Sequence, residues 1–265
     1  MCGGAALYLD PLAEEEFDVL HAATGPGSLL GSLDALAFGA AYPREVQPFG
    51  QCSLALLRLA AAGLRVKPGD HLVDLGCGRG GPGLWLARHC GARLTGVDFS
   101  RVALAAASGW AARMSLSHPV RFRHGLLTGC GLADACADAV ICIDAALLAA
   151  QRGQVLAEIG RLLRPGGRAL ITVAQTTAAI EATHPRAVAN WRPLVEQARL
   201  TLRRIVDLPM VTSVWTRLHG LWLDNAIHLR HVLGADVAAT LLGQASLPRK
   251  LFTGHRELAL VLGKP

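Results

Sequence analysis

A short apolar segment of this sequence runs into a glycine-rich loop and then into a helical segment. The stretch from His71 to Gly83 reads HLVDLGCGRGGPG and holds five glycines within eight residues. Glycines let a backbone approach a ligand closely, and the N-terminus of a helix offers free N–H groups and positive potential. This junction therefore predicts a strand, a ligand-binding loop and a helix in direct succession.

From Gly69 onward, strand-like and helix-like patterns alternate, which is typical of βαβ units in a doubly wound, mostly parallel sheet. Strands are predicted near His71–Leu75, Arg93–Asp98, Val120–His124, Ala139–Ile143, Arg168–Val173, Thr201–Val206 and Glu257–Leu262. Helices are predicted near Pro82–Cys90, Ser100–Met114, Gln151–Leu163, Pro185–Leu200 and Val211–Gly234. Residues 1–68 are helical in pattern and predict an N-terminal cap, followed by an α/β core over 69–265 with a helical insertion at about 208–250.

Composition excludes several classes of protein. With 52% hydrophobic and 17% charged residues, the chain predicts a compact globule. The net charge of +6 comes from scattered arginines, which argues against a nucleic-acid partner.

The apolar runs are too short to span a membrane, and residues 1–16 lack a basic leader, so we expect a cytoplasmic protein. Seven cysteines without a CxxC pair are typical of buried thiols in a reducing compartment. Whether the chain forms a homodimer is left open.

Two carboxylates accompany the glycine loop. Asp74 stands two positions before Gly76, where it would repel a pyrophosphate but suits a cationic amino group. Asp98 ends the next predicted strand, 22 residues after Gly76, where a carboxylate can accept both hydroxyls of a ribose. Phe99 follows and can pack on an adenine. The match of residues 76–81 to GxGxxG is weak alone, and Asp74 argues against the nicotinamide-dependent oxidoreductase that it would otherwise suggest.

In combination, three segments resemble the successive motifs of class I S-adenosylmethionine (SAM)-dependent methyltransferases. They read VDLGCGRG at 73–80, GVDFS at 96–100 and LRPGGR at 163–168. YPREVQPF at 42–49, with GGPGLWLAR at 80–88, resembles bacterial small-molecule methyltransferases of secondary metabolism, including antibiotic biosynthesis. The resemblance implies a seven-stranded sheet with its last strand antiparallel, and SAM lying over the carboxyl ends of strands one and two.

The same resemblance assigns residues to the cofactor. It implies that the glycine loop holds the methionine part of SAM, that Asp98 holds the ribose, and that Phe99 flanks the adenine. S-adenosylhomocysteine would be the product. The implied cofactor-binding residues are Asp74, Gly76, Cys77, Gly78, Gly80, Asp98, Phe99, Leu126 and Asp144. Leu126 departs from the family, which usually has an acidic residue there that accepts a hydrogen bond from the adenine amino group. Losing such a bond costs about 1 kcal/mol.

The residues that contact the methyl acceptor are harder to predict from the sequence than those that bind SAM. Trp215, His219 and Trp222 are spaced to share one helix face, which predicts either a core stripe or an aromatic acceptor pocket with His219 as a base. Four further residues are candidate substrate contacts: Tyr42, Phe49, Gln51 and Trp191.

The opposite face of the same predicted helix carries Asp224, His228 and His231, which suit either a solvated surface or a metal site. We predict no metal, because a sulfonium is already an activated leaving group.

Two functions remain open after this reasoning. The first is methyl transfer from SAM to a hydrophobic small molecule, aided by in-line alignment in a dry pocket. The second is a cyclisation, rearrangement or decarboxylation on the same fold, with SAM retained or lost.

Overall fold

The computed structural model of the protein describes residues 14–50, 52–184, 186–246 and 255–265. One seven-stranded sheet organises them, in the order β3-β2-β1-β4-β5-β7-β6. The strands are β1 (His71–Leu75), β2 (Arg93–Asp98), β3 (Val120–His124), β4 (Ala137–Cys142), β5 (Leu163–Gln175), β6 (Thr201–Asp207) and β7 (Arg256–Gly263). Strands β1 to β5 pair in parallel, whereas β7 runs antiparallel to both β5 and β6. The doubly wound, seven-stranded sheet with an antiparallel last strand is confirmed.

The order of the strands reverses between β1 and β4, because the chain runs outward to β3 and then returns to the other side of β1. In open α/β sheets, ligands bind outside the carboxyl ends of the strands at such a switch point. The glycine loop follows β1 at this position, and Asp98 is the last residue of the neighbouring β2.

Eleven α-helices lie in the described part of the chain, and all of them except α7 bury apolar side chains. They are α1 (Glu14–Ala23), α2 (Leu29–Phe38), α3 (Leu54–Leu64), α4 (Gly81–Cys90), α5 (Arg101–Arg113), α6 (Arg152–Leu162), α7 (Ala178–Glu181), α8 (Arg192–Gln197), α9 (Pro209–Asp224), α10 (Ala226–Leu233) and α11 (Ala235–Ala245).

Alternate side chains of the central strands enter two cores. Leu72 of β1 packs with α3 and α4 on one face, and Val73 packs with α6 and α8 on the other. A third cluster joins α1 and α2 to α9, α10 and α11. Helix α3 falls within the predicted cap but packs on α4 and β5, while α1 and α2 lie against the helical insertion.

Two predicted helices were wrong in extent. The helix predicted over Pro185–Leu200 is only α8, which begins at Arg192. Pro193 lies in its first turn, where a proline without an N–H group is tolerated, whereas inside a longer helix it would remove a hydrogen bond.

The helix predicted over Val211–Gly234 is interrupted at Asn225, whose backbone has φ −107° and ψ 20°. The Asn225 side chain donates a hydrogen bond to the carbonyl of Leu221 at 2.8 Å, which ends α9. This side-chain-to-backbone bond competes with the continuing helix, and α10 begins at the next residue, Ala226. Helix α11, which follows it, lies within the helical insertion predicted at about 208–250 but was not predicted as a separate helix.

Within the described ranges, no helix is both long and apolar enough to cross a membrane.

Candidate active site

The glycine loop lies at the carboxyl end of β1 in a conformation that side chains resist. Gly76, Gly78 and Gly80 have φ values of +71°, +50° and +81°. A Cβ atom at Gly76 would overlap the side chain of Ala145, which follows β4. The loop is therefore packed closely between the ends of β1 and β4, and only glycine permits this path.

Asp98 ties this loop to β2. Its Oδ2 accepts a hydrogen bond from the backbone N–H of Gly78 at 2.7 Å, and its Oδ1 accepts one from the N–H of Ser100 at 2.9 Å. Burial raises the pKa of Asp98, and the backbone N–H groups of Ser100, Gly78 and Phe99 oppose that shift. Each carboxylate oxygen can accept more than one hydrogen bond, so the geometry leaves acceptor capacity for a ribose.

Asp74 lies behind the loop. Its Oδ2 accepts a hydrogen bond from the N–H of Gly83 at 3.0 Å, in the first turn of α4. A Cβ atom at Gly83 would stand 2.6 Å from the same oxygen. Burial raises the pKa of Asp74 to about 7. The carboxyl group thus fixes the start of α4, and its contact with a ligand's amino group stays a prediction.

Helix α1 covers this site. The ring of Phe17 meets the edge of Phe99 at a centroid distance of 5.5 Å. The carbonyl of His21 accepts a hydrogen bond from Nη1 of Arg79 at 2.6 Å, which attaches the end of α1 to the glycine loop. Only 5% of Asp98 is exposed. Helix α1 therefore packs against the residue that follows Asp98 and against the glycine loop.

Leu126 follows β3 and is 59% exposed. It bridges to Gly129, while the side chain of its neighbour Leu127 points toward the glycine loop, 3.2 Å from where a Cβ atom of Gly76 would be. Leu126 therefore has no share in the core, and the turn can accept a polar side chain.

Replacing Leu126 with aspartate should leave the free energy of unfolding unchanged within about 0.5 kcal/mol, because surface substitutions rarely do more. SAM affinity should stay the same or improve by several-fold, since the new carboxylate could accept the adenine amino hydrogen bond. Thermal melting and calorimetry with SAM check both quantities. A large fall in melting temperature would show that our alignment of this turn is shifted.

A small apolar cleft lies between α2, α9 and the segment before α3. Its volume is only about 10 Å³, and it is lined by Phe38, Gly50, Val211, Val214, Trp215 and Leu218. Asp144, whose φ is +58°, places its carboxylate against Gly50, so closely that a Cβ atom there could not fit. The cleft therefore adjoins the loop after β4, on the side where the glycine loop also lies.

The rings predicted to share one face of a helix do contact one another on α9. Centroid distances are 5.1 Å from Trp215 to His219, 5.4 Å from His219 to Trp222 and 5.8 Å from Trp215 to Trp222. Trp215 lines the cleft, Trp222 is buried in the helical cluster, and His219 is half-buried between them. Burial lowers the pKa of His219, which favours the neutral imidazole that a base must be. One end of this row of rings, at Trp222, therefore packs in the core, and the other end, at Trp215, borders the cleft.

The set Asp224, His228 and His231 does not share one helix, because the break at Asn225 separates Asp224 from α10. All three side chains are exposed. In the part of the chain that the structure describes, no three His, Cys, Asp or Glu residues are grouped to hold a metal ion.

The remaining residues predicted to contact the substrate or the cofactor lie in different parts of the structure. Tyr42 is buried and its hydroxyl donates to the carbonyl of Pro48 at 3.5 Å. Phe49 packs on His21, with 5.2 Å between ring centroids. Trp191 is buried on the other face of the sheet, away from the cleft, with Nε1 donating to a backbone carbonyl at 3.1 Å. Gln51 lies outside the described residues, and Cys77 is buried within the loop.

Sequence reasoning missed two carboxyl groups. Asp34 on α2 and Glu257 on β7 both lie close enough to Asp144 for its charge to act on them. Burial, with the Asp144 charge adding to it, raises the pKa of Asp34 to about 7 and that of Glu257 to about 8. A signal for Asp34 was present, because it stands on the same face of an otherwise apolar helix as Leu30 and Phe38.

Comparison with known proteins defines the class. Residues 72–167 match the family described as "Methyltransferase domain". The chain is 31% identical over 181 residues to methyltransferase GfsG of Streptomyces halstedii, covering 63% of this chain and 65% of GfsG. It is 34% identical over 107 residues to sterol 24-C-methyltransferase ERG6B of Gibberella zeae, covering 40% of this chain and 28% of ERG6B. The chain thus spans less than two thirds of the length of these relatives.

Solved structures agree on the fold. The 4+2 cyclase SpnF superposes with a TM-score of 0.75 at 20% identity, over 96% of this chain and 97% of SpnF. The resemblance to methyltransferases found in the sequence is confirmed for residues 72–167, and the described residues have the same fold as SpnF.

Proposed function

We propose that this protein transfers a methyl group from SAM to a hydrophobic small molecule, a natural-product intermediate. The main support for the proposal is the hydrogen bond between the N–H of Gly78 in the glycine loop and the carboxylate of Asp98. This bond lies at the switch point of the sheet, where the strand order reverses. The related methyltransferases also support the proposal. We place the reaction in the cytoplasm and in secondary metabolism, including antibiotic biosynthesis, with neither a nucleic acid nor a membrane as partner.

The chain's residues fit SAM in three respects. Glycines with positive φ keep the loop free of side chains, Asp98 retains acceptor capacity for a ribose, and Phe99 stands next to it for an adenine. When bound, SAM supplies an activated methyl group on a sulfonium. The protein would then act by alignment, holding the acceptor in line with that methyl group and excluding water from the reacting atoms.

His219 is the proposed base for the acceptor's proton. Its imidazole lies between two indoles, of which Trp215 borders the cleft, and burial lowers its pKa, which favours the neutral form. General-base catalysis of this kind contributes about 10²- to 10⁴-fold to a rate. Asp144, at the cleft's border with the glycine loop, is proposed to line the site where donor and acceptor meet.

Methyl-labelled SAM, incubated with the protein and a small-molecule extract of the source organism, tests the proposal. We expect label to enter an organic-soluble product, with one equivalent of S-adenosylhomocysteine formed for each label transferred. A boiled-protein control gives the background. Absence of both products, with SAM shown to be bound, would refute methyl transfer.

The likeness to SpnF favours one second candidate, a cyclisation on the same fold. In that case a metabolite of the extract would be consumed and a product of the same mass would form. SAM would not be converted to S-adenosylhomocysteine. Mass spectrometry of the same incubation therefore distinguishes the two functions.

A further inference from the structure

Arg79 is a buried cation within the glycine loop, between Gly78 and Gly80, and only 8% of it is exposed. Its Nη1 donates a hydrogen bond to the backbone carbonyl of His21 at 2.6 Å, and no carboxylate of the described ranges pairs with it. Burial lowers the pKa of Arg79, as expected for a cation removed from water. A guanidinium has five N–H donors, and the partial negative charge at the end of α1 offsets only part of a full positive charge. A buried cation of this kind calls for an anionic partner.

A second nitrogen lies beside the same loop. His21, in the last turn of α1, is 4% exposed, and its Nδ1 has no hydrogen-bond partner in the part of the chain that the structure describes. The ring faces the loop, because its Cε1, which is bonded to Nδ1, would stand 3.4 Å from a Cβ atom at Gly78. Burial, with the charge of Arg79 adding to it, lowers the pKa of His21 to about 4. The imidazole is therefore neutral near pH 7 and can donate one hydrogen bond.

The neighbouring residues hold both groups in place. Phe17 stacks on the ring of His21 with 6.2 Å between centroids, and Phe49 meets it edge-on at 5.2 Å. Nη2 of Arg79 would stand 3.4 Å from a Cβ atom at Gly25, in the connection between α1 and α2. A charged donor and a neutral donor are thus fixed next to the glycine loop, and both can make further hydrogen bonds.

We infer that Arg79 and His21 together bind the α-carboxylate of the methionine part of SAM. The inference rests on the proposed function, which puts this end of the cofactor at the glycine loop, and it names the residues that recognise the amino-acid end. The carboxylate would accept hydrogen bonds from the guanidinium and from the imidazole, and it would neutralise the charge of Arg79. A guanidinium suits this task because its planar set of N–H donors matches the geometry of a carboxylate.

The test compares two ligands by calorimetry with the full chain. They are SAM and decarboxylated SAM, which keeps the adenosine, the sulfonium and the amine but has no carboxylate. We expect wild-type protein to bind SAM about 100-fold more tightly than decarboxylated SAM. Arg79→Gln should weaken the binding of SAM about 30-fold and change that of decarboxylated SAM by less than about threefold. Backbone N–H groups of the loop contribute equally in both proteins, so the change in the ratio of affinities reports on the guanidinium.

His21→Phe keeps a ring that can pack on Phe17 and Phe49 but removes Nδ1. It should weaken the binding of SAM about fivefold, the loss expected for one neutral donor, and leave decarboxylated SAM unaffected. This variant provides the test if Arg79→Gln does not fold. Arg88→Gln is the matched control, because it removes the same charge from an exposed arginine in the last turn of α4. Both of its affinities should equal those of the wild-type protein.

Equal affinity of wild-type protein for the two ligands would overturn the inference, as would a wild-type ratio of affinities in Arg79→Gln. If that variant loses affinity for both ligands equally, Arg79 only attaches α1 to the loop. If it loses affinity for neither, the pair of donors serves another anion, such as a carboxylate on the acceptor. Wild-type protein that binds SAM without the expected ratio contradicts this inference alone. Wild-type protein that binds neither ligand contradicts the proposed function as well.

Discussion

Replacing Asp98 with alanine should weaken the binding of SAM by about 100-fold or more. The variant loses two charge-assisted hydrogen bonds to the ribose, each of which contributes about 1.5–3 kcal/mol before compensation. It also frees the N–H of Gly78, which Asp98 now holds at 2.7 Å, so the glycine loop keeps only its backbone hydrogen bonds to Val97 of β2. Calorimetric titration with SAM gives the affinity, and thermal melting gives the accompanying loss of stability, which should be the smaller effect.

Asp70→Ala is the matched control for this variant. The Asp70 carboxylate also accepts a backbone hydrogen bond, from the N–H of Lys67 at 2.8 Å, but in a turn before β1 that is remote from the switch point. We expect its SAM affinity to equal that of the parent. If Asp98→Ala binds SAM as the parent does, the cofactor does not lie over β2.

Replacing His219 with alanine should lower the chemical rate by about 10²-fold or more and leave SAM affinity nearly intact. The neutral imidazole would no longer be available to the acceptor, whereas the glycine loop and Asp98 would be untouched. Single-turnover rates, measured with the acceptor that the labelling experiment identifies, report on this step without interference from product release.

His228→Ala and His231→Ala serve as controls, because both histidines are exposed on α10. Their rates should match that of the parent. If His219 instead has a packing role between Trp215 and Trp222, His219→Ala will lower the melting temperature, and activity will fall only with the loss of folded protein. Equal rates for the variants at 219, 228 and 231 would remove His219 from the mechanism.

The cofactor side of this site could be predicted because its signals are local. A strand that ends in a glycine loop, and a carboxylate at the end of the next strand, are both fixed by short spacings along the chain. Parallel strands then bring their carboxyl ends to one edge of the sheet. Asp98 and Gly78, 20 residues apart in sequence, accordingly meet through a hydrogen bond in the structure.

The acceptor side depends on contacts between distant segments, which spacing does not reveal. Nothing near Phe17 in the sequence indicates that it meets Phe99, and nothing near Asp34 or Glu257 indicates that the charge of Asp144 acts on both of them. The helix predicted over Val211–Gly234 was wrong for a different reason. Its apolar residues continue at helical spacing past Asn225, so the pattern predicts one helix. The single side chain that ends α9 is too weak a local signal to change that prediction.

Calorimetric titration of the intact protein with SAM tests the central claim most directly, because every part of the proposal requires the cofactor at the glycine loop and Asp98. We predict a single site with a dissociation constant on the order of micromolar, accompanied by a rise in melting temperature. S-adenosylhomocysteine should bind in the same range and compete with SAM. Neither heat nor a thermal shift at about millimolar SAM would contradict the account.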